Sequence, residues 1–64
     1  MYILKNEMKI GNETKASKII GIDIATLSRI LHKKQKCSKI LAYCITKYID
    51  QNAEINNYFI KIGD

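Results

Sequence analysis

The sequence predicts an all-α domain, a compact bundle of four to five short helices containing a helix-turn-helix. Three observations carry that expectation. Apolar residues recur at spacings of three and four through most of the chain, the pattern of helices that each bury one face. Proline is absent and glycine occurs three times, so little interrupts such helices. The stretch 11–31, GNETKASKIIGIDIATLSRIL, reads as two short amphipathic helices broken at Gly21, which is the helix-turn-helix pattern. Abundant β-branched isoleucine weakly opposes helix, but its spacing outweighs its propensity.

Residues 2–10, YILKNEMKI, are the least determined segment. Leu4 and Met8 stand four apart, which permits a short helix, although alternation over so few residues suits a strand equally. The helix is preferred because a three-element core needs a partner on that side. Gly11 can end this helix in a left-handed conformation, and Asn12 can cap the next. From about 13 to 20 the apolar face is Ala16, Ile19 and Ile20, with Lys15 and Lys18 outward. Ala16 and Ser17 are small where a second helix must approach closely. Gly21 ends this helix, Ile22 plugs the turn into the core, and Asp23 caps the next helix with a charge that suits its N-terminus.

The second helix of the motif turns Leu27, Ile30 and Leu31 inward and leaves Ile24, Ala25, Ser28, Arg29 and His32 outward. It stops near His32 or Lys33. After the basic loop HKKQKC, Ser38 caps a helix running to about 49, with Leu41, Cys44 or Ile45, and Tyr48 or Ile49 inward. Residues 50–52 break it. A last helix, about 53–61, offers Ile55, Phe59 and Ile62 as one apolar edge, with Tyr58 adjacent. The chain therefore reads as one domain over 1–64, with its motif at about 12–32 and supporting helices at about 38–49 and 53–61.

Sixty-four residues bury only about 60% of the surface the unfolded chain exposes, so stability should be marginal. The 47% hydrophobic content suffices for one core. The formal net charge is +5, and it is unevenly placed. Through Asp50, ten basic residues face four acids (Glu7, Glu13, Asp23, Asp50). Between Arg29 and Lys39 lie Lys33, Lys34 and Lys36 with no acid among them, a run that suits a polyanion through counterion release from phosphates. Lysines that only keep a small domain in solution are the plainer explanation.

Other chemistries find little support. His32, Cys37 and Cys44 lack the spacing of a zinc site, so no metal or other cofactor is expected. Ser17, Ser28 and Ser38 have no His–Asp partner set and no carboxylate pair marks a cleft, so an enzyme is not expected. The tyrosines read as packing residues. No secretion signal and no apolar run of ~20 residues is visible, which predicts a reduced, cytoplasmic protein without a membrane partner.

The frame of Ser17, Gly21, Ile22, Leu27, Ser28, Ile30 and Leu31, followed by a lysine-rich loop and Ser38, resembles the Cro/repressor-type (XRE-like) helix-turn-helix family. The segment GNETKASKIIGIDIATLSRILHK is also similar to the Fis-type helix-turn-helix, with its Gly-Asn opening and Gly-Ile turn. Helices after Lys36 favour the first family, and the resemblance covers roughly 11–50. It implies a lambda-repressor-like fold. The family usually carries Asn-Gly where this chain has His32-Lys33, and proline where Cys37 stands; a left-handed residue other than glycine costs about 1 kcal/mol.

The resemblance further implies base contacts from Ile24, Ala25, Ser28 and Arg29. Arg29 suits a bidentate pair with guanine, Ala25 a thymine methyl, and Ser28 a base or a phosphate; Ile24 suits either a thymine methyl or a protein contact. Lys33, Lys34, Lys36 and Lys39 suit phosphates, as do Asn12 and Thr14 near a helix N-terminus. The function expected is a sequence-specific regulator of double-stranded DNA, a small bacterial or phage repressor acting as a homodimer on a two-fold site. The candidate dimer face is Ile55, Tyr58, Phe59 and Ile62, although closing the core explains Phe59 at least as well. The alternative is a protein-interaction module on the same fold, an antirepressor or an inhibitor of another protein.

Overall fold

The chain does not open with a helix. In the computed structural model, which describes residues 1–63, Tyr2–Leu4 form a strand, β1. Helices α1 (Glu13–Ile20), α2 (Ile24–Leu31), α3 (Lys39–Ile49) and α4 (Ile55–Tyr58) follow, and the chain closes with strand β2 (Phe59–Lys61). The strands pair antiparallel, Tyr2 opposite Lys61, Ile3 opposite Ile60 and Leu4 opposite Phe59. The architecture is therefore mixed α and β, four helices with a two-stranded sheet, and the all-α expectation is corrected at both ends of the chain.

The reason lies in what each end can bury. A nine-residue helix at 2–10 would be too short to persist without tertiary support. Tyr-Ile-Leu and Phe-Ile-Lys are aromatic and β-branched segments that fit a pleated, half-buried surface. Pairing them buries Leu4 completely and leaves Phe59 1% exposed. The expected helix at 53–61 shortens to four residues. Its first turn is held by Asn57, whose Oδ1 accepts the Glu54 N–H at 2.7 Å, and the Phe59 N–H closes it on the Ile55 carbonyl. Phe59 consequently belongs to the core rather than to a dimer face, while Ile55, Tyr58 and Ile62 are half-buried.

The middle of the chain follows the apolar pattern more closely. Asn12, at φ 51°, accepts the Lys15 N–H on Oδ1 at 3.0 Å and opens α1. Ala16 and Ser17 are buried against α2 and α3, with the Ser17 hydroxyl donating to the Thr14 carbonyl at 2.8 Å. Ile19 is the exception in α1: it is 61% exposed and only Ile20 packs on the core. Gly21 stands at φ 93° with open space around its α-carbon, so backbone conformation rather than crowding selects glycine there. Ile22 packs into the turn beneath it.

In α2, Leu27, Ile30 and Leu31 are all fully buried. The helix ends in a Schellman arrangement, with the Lys34 N–H on the Arg29 carbonyl (2.8 Å) and the Lys33 N–H on Ile30 (3.1 Å). That motif places Lys33 at φ 61°, where glycine is usual. Helix α3 begins as its sequence suggests, the Ser38 hydroxyl oxygen accepting the Leu41 N–H at 3.2 Å. Its fully buried residues are Ala42, Ile45 and Thr46; Leu41, Cys44, Tyr48 and Ile49 sit at the margin.

Residues 2–8 are tied to the segment that leaves α2. Tyr2 and Cys37 exchange two backbone hydrogen bonds, each 2.8 Å. The Met8 N–H donates to the Leu31 carbonyl at 3.0 Å, and Lys33 Nζ donates to the Lys5 carbonyl at 3.0 Å. Cys37 is buried in this joint, and burial pushes its thiol up to about 11.

Two outcomes are expected. Phe59→Ala should cost about 3–5 kcal/mol and leave a domain of this size largely unfolded at room temperature, read by the loss of cooperative thermal unfolding in circular dichroism. Lys33→Gly should raise the unfolding midpoint, by about 0.5–1 kcal/mol of relieved left-handed strain less the lost bond to Lys5. A lowered midpoint would show that the lysine's bond outweighs the strain, and an unchanged one that the two balance.

Candidate nucleic-acid interface

Burial of Leu27, Ile30 and Leu31 fixes the rotation of α2 about its axis, and that rotation decides which side chains face solvent. Ile24, at 45% exposure, is open with Ala25 and Arg29, and Ser28 is half-buried between the two faces. The structure thus brings together on one helix surface the four residues expected to meet bases. His32 is exposed at the end of the same helix, where Nδ1 lies 3.3 Å from Glu7 Oε1. No Lys or Arg side chain forms an ion pair among the described residues.

The basic run continues from that end. Lys33, Lys34, Lys36 and Lys39 are exposed over the loop and the first residue of α3. Lys33 is partly committed, because its ammonium serves the Lys5 carbonyl; Lys34, Lys36 and Lys39 form no ion pair among the described residues. Asn12 and Thr14 are both exposed at the opening of α1, but the Asn12 carbonyl oxygen is occupied by the Lys15 N–H. The Asn12 amide N–H groups and the Thr14 hydroxyl remain for a phosphate there, beside the first-turn backbone N–H groups of α1.

Asp23 occupies the position that caps α2, but its carboxylate turns chiefly to a side chain of the first turn rather than to a capping backbone N–H. It accepts the Thr26 hydroxyl, and that bond chiefly holds its carboxyl below the usual range. Thr26 Oγ1 in turn accepts from Arg29 Nη2 at 3.3 Å, while Arg29 Nε donates to Gln35 Oε1 at 2.8 Å. Sequence reading missed Thr26 and Gln35. The three-residue spacing of Asp23, Thr26 and Arg29, which places them along one helix edge, was the available signal. Gln35 lies in an aperiodic loop and gave none.

A second surface lies between α1 and α3. Ile19 and Tyr43, both exposed, line an open groove with Ile20, Cys44 and Tyr48. Lys47 crosses it, its Nζ 5.5 Å from the Tyr43 ring centre and bonded to the carbonyls of Gln51 (3.2 Å) and Ala53 (2.7 Å). Cys37 and Cys44 are free thiols, and no three His, Cys, Asp or Glu side chains gather among the described residues. Nor, among them, is any helix long and apolar enough to cross a membrane. No protein-family model, curated protein or solved structure matches the chain.

Because the folded carboxyl of Asp23 titrates below its unfolded value, its contribution to stability is present above that value and fades as pH falls through the folded one. Thr26→Val should move the Asp23 pKa upward, measured by carboxyl-carbon NMR titration, and flatten this part of the acid limb. A titration midpoint that does not move would remove Thr26 as the cause.

Proposed function

We propose that this chain is a small sequence-specific regulator of double-stranded DNA, of the repressor kind, which lays α2 in the major groove. One observation supports the reading above others. A single eight-residue helix divides into a wholly buried side and an outward side bearing Ile24, Ala25, Ser28 and Arg29, with a lysine run at its end and no acid within that run. Arg29 pairs with guanine and Ala25 meets a thymine methyl. Lys34, Lys36 and Lys39 grip the flanking phosphates and set register without reading sequence. A domain of 64 residues makes few contacts, so tight binding calls for two copies on a two-fold site.

The groove beside Ile19 and Tyr43, together with exposed Ile24, favours a second reading in which a protein partner occupies the surface. Selection of duplexes from a random pool at physiological salt separates the two. An enriched half-palindrome supports the DNA reading, and an absence of any duplex affinity even in dilute buffer gives the surface to a protein.

Arg29→Ala should weaken the selected site by about 5- to 150-fold while changing random duplex little. Lys34→Ala combined with Lys36→Ala should weaken both duplexes alike and lower the salt slope by about 2. Equal losses of Arg29→Ala on both duplexes would remove that residue from base reading.

A further inference from the structure

Resting on the DNA reading of α2, we infer that Gln35 is a positioning residue that sets Arg29 to read guanine end-on. An arginine carries five N–H donors along two edges, a side edge of Nε and Nη2 and an end edge of Nη1 and Nη2. The side edge of Arg29 is already spoken for: Nε meets Gln35 Oε1 at 2.8 Å and Nη2 meets Thr26 Oγ1 at 3.3 Å. The end edge keeps both Nη1 donors and one on Nη2, which is the pair that reaches the O6 and N7 acceptors of guanine.

The two acceptors come from different parts of the chain. Thr26 stands one turn back along α2 and is itself oriented by donating to Asp23. Gln35 belongs to the loop beyond α2, two residues before the backbone pairing of Cys37 with Tyr2. The guanidinium is therefore held between the helix and the loop, and its long, flexible stem is ordered before any duplex arrives. Gln35 need touch no base to act. Its effect passes wholly through Arg29, and that distinguishes it from a residue with its own base or phosphate contact.

The test uses the whole chain and its selected duplex, with the base pair opposite Arg29 varied. Gln35→Ala should reduce the preference for guanine at that position by about 3- to 10-fold, the range that corresponds to ordering one long side chain on binding. Thermal unfolding should not change. Gln35→Glu, which keeps the acceptor, should keep the preference while lowering affinity for every duplex. In an Arg29→Ala background, Gln35→Ala should have no further effect on preference. A preference that survives Gln35→Ala, or falls equally without Arg29, overturns the inference and leaves the DNA reading in place. A second arm needs no DNA: the Arg29 Nε–H resonance of the free protein should be resolved and shielded from exchange, and should lose that protection in Gln35→Ala. Equal protection in both proteins overturns the inference. A wild-type chain that binds no duplex overturns the reading itself, whatever this resonance shows.

Discussion

The structure depends on a pairing between its two ends. Three residues at the start and three near the finish form the sheet, and through it Leu4 and Phe59 enter the core that α2 rests on. Without those two side chains, Leu27, Ile30 and Leu31 would lose part of the apolar surface that fixes the rotation of α2. A surface residue such as Arg29 is aimed outward only because Leu27 and Leu31, about half a turn away around the helix, are aimed inward. The terminal ladder is thus a condition for whatever the outer face of the motif does, although none of its residues lies on that face.

The same N-terminal segment acts a second time, as a strap along the exit from α2. Its links to Leu31, His32, Lys33 and Cys37 run through backbone pairing, one ammonium-to-carbonyl bond and one imidazole-to-carboxylate contact. Exposed ion pairs contribute little singly, so His32 with Glu7 is the weakest of these. The backbone exchange between Tyr2 and Cys37 is the firmest, being buried at Cys37. This fastening explains how a loop containing three lysines, one of them the left-handed Lys33, keeps a defined path. Self-repulsion and backbone strain both act to loosen it, and the strap opposes them.

Much of the middle was legible because its determinants are local. Asn12 and Ser38 accept the N–H three residues on, Gly21 takes a left-handed turn, and the Leu27–Ile30–Leu31 stripe needs only a helical period. The ends were not legible because the partners of a ladder between Tyr2 and Lys61 have no local signature, and each half alone also fits a short helix. Ile19 failed for a different reason. Its spacing from Ala16 is helical, but α1 is short enough for Ala16, Ser17 and Ile20 to supply its buried face, and α3 does not reach over Ile19. In the candidate interface, Arg29 was readable as an outward cation. Its tether to Gln35 was not, since loop geometry fixes it and that geometry follows from the N-terminal strap.

Arg29 and the lysines beside it differ in a way that bears on how such a surface divides its work. Lys34, Lys36 and Lys39 are exposed and outside any ion pair among the described residues, so under the proposed reading each would keep its rotamer freedom and its counterions until a polyanion displaced them. Release of those ions favours association with any duplex, and a mobile ammonium can follow a phosphate wherever the backbone places it. Discrimination between bases asks for the opposite property. A planar fork must meet two acceptors at fixed positions, and every rotamer lost at that moment weakens the distinction between right and wrong base. Holding Arg29 between Thr26 and Gln35 moves that ordering into the folding of the free protein. If α2 reads bases as proposed, a domain this small has few contacts with which to discriminate, and ordering its single arginine would gain more specificity than adding another lysine.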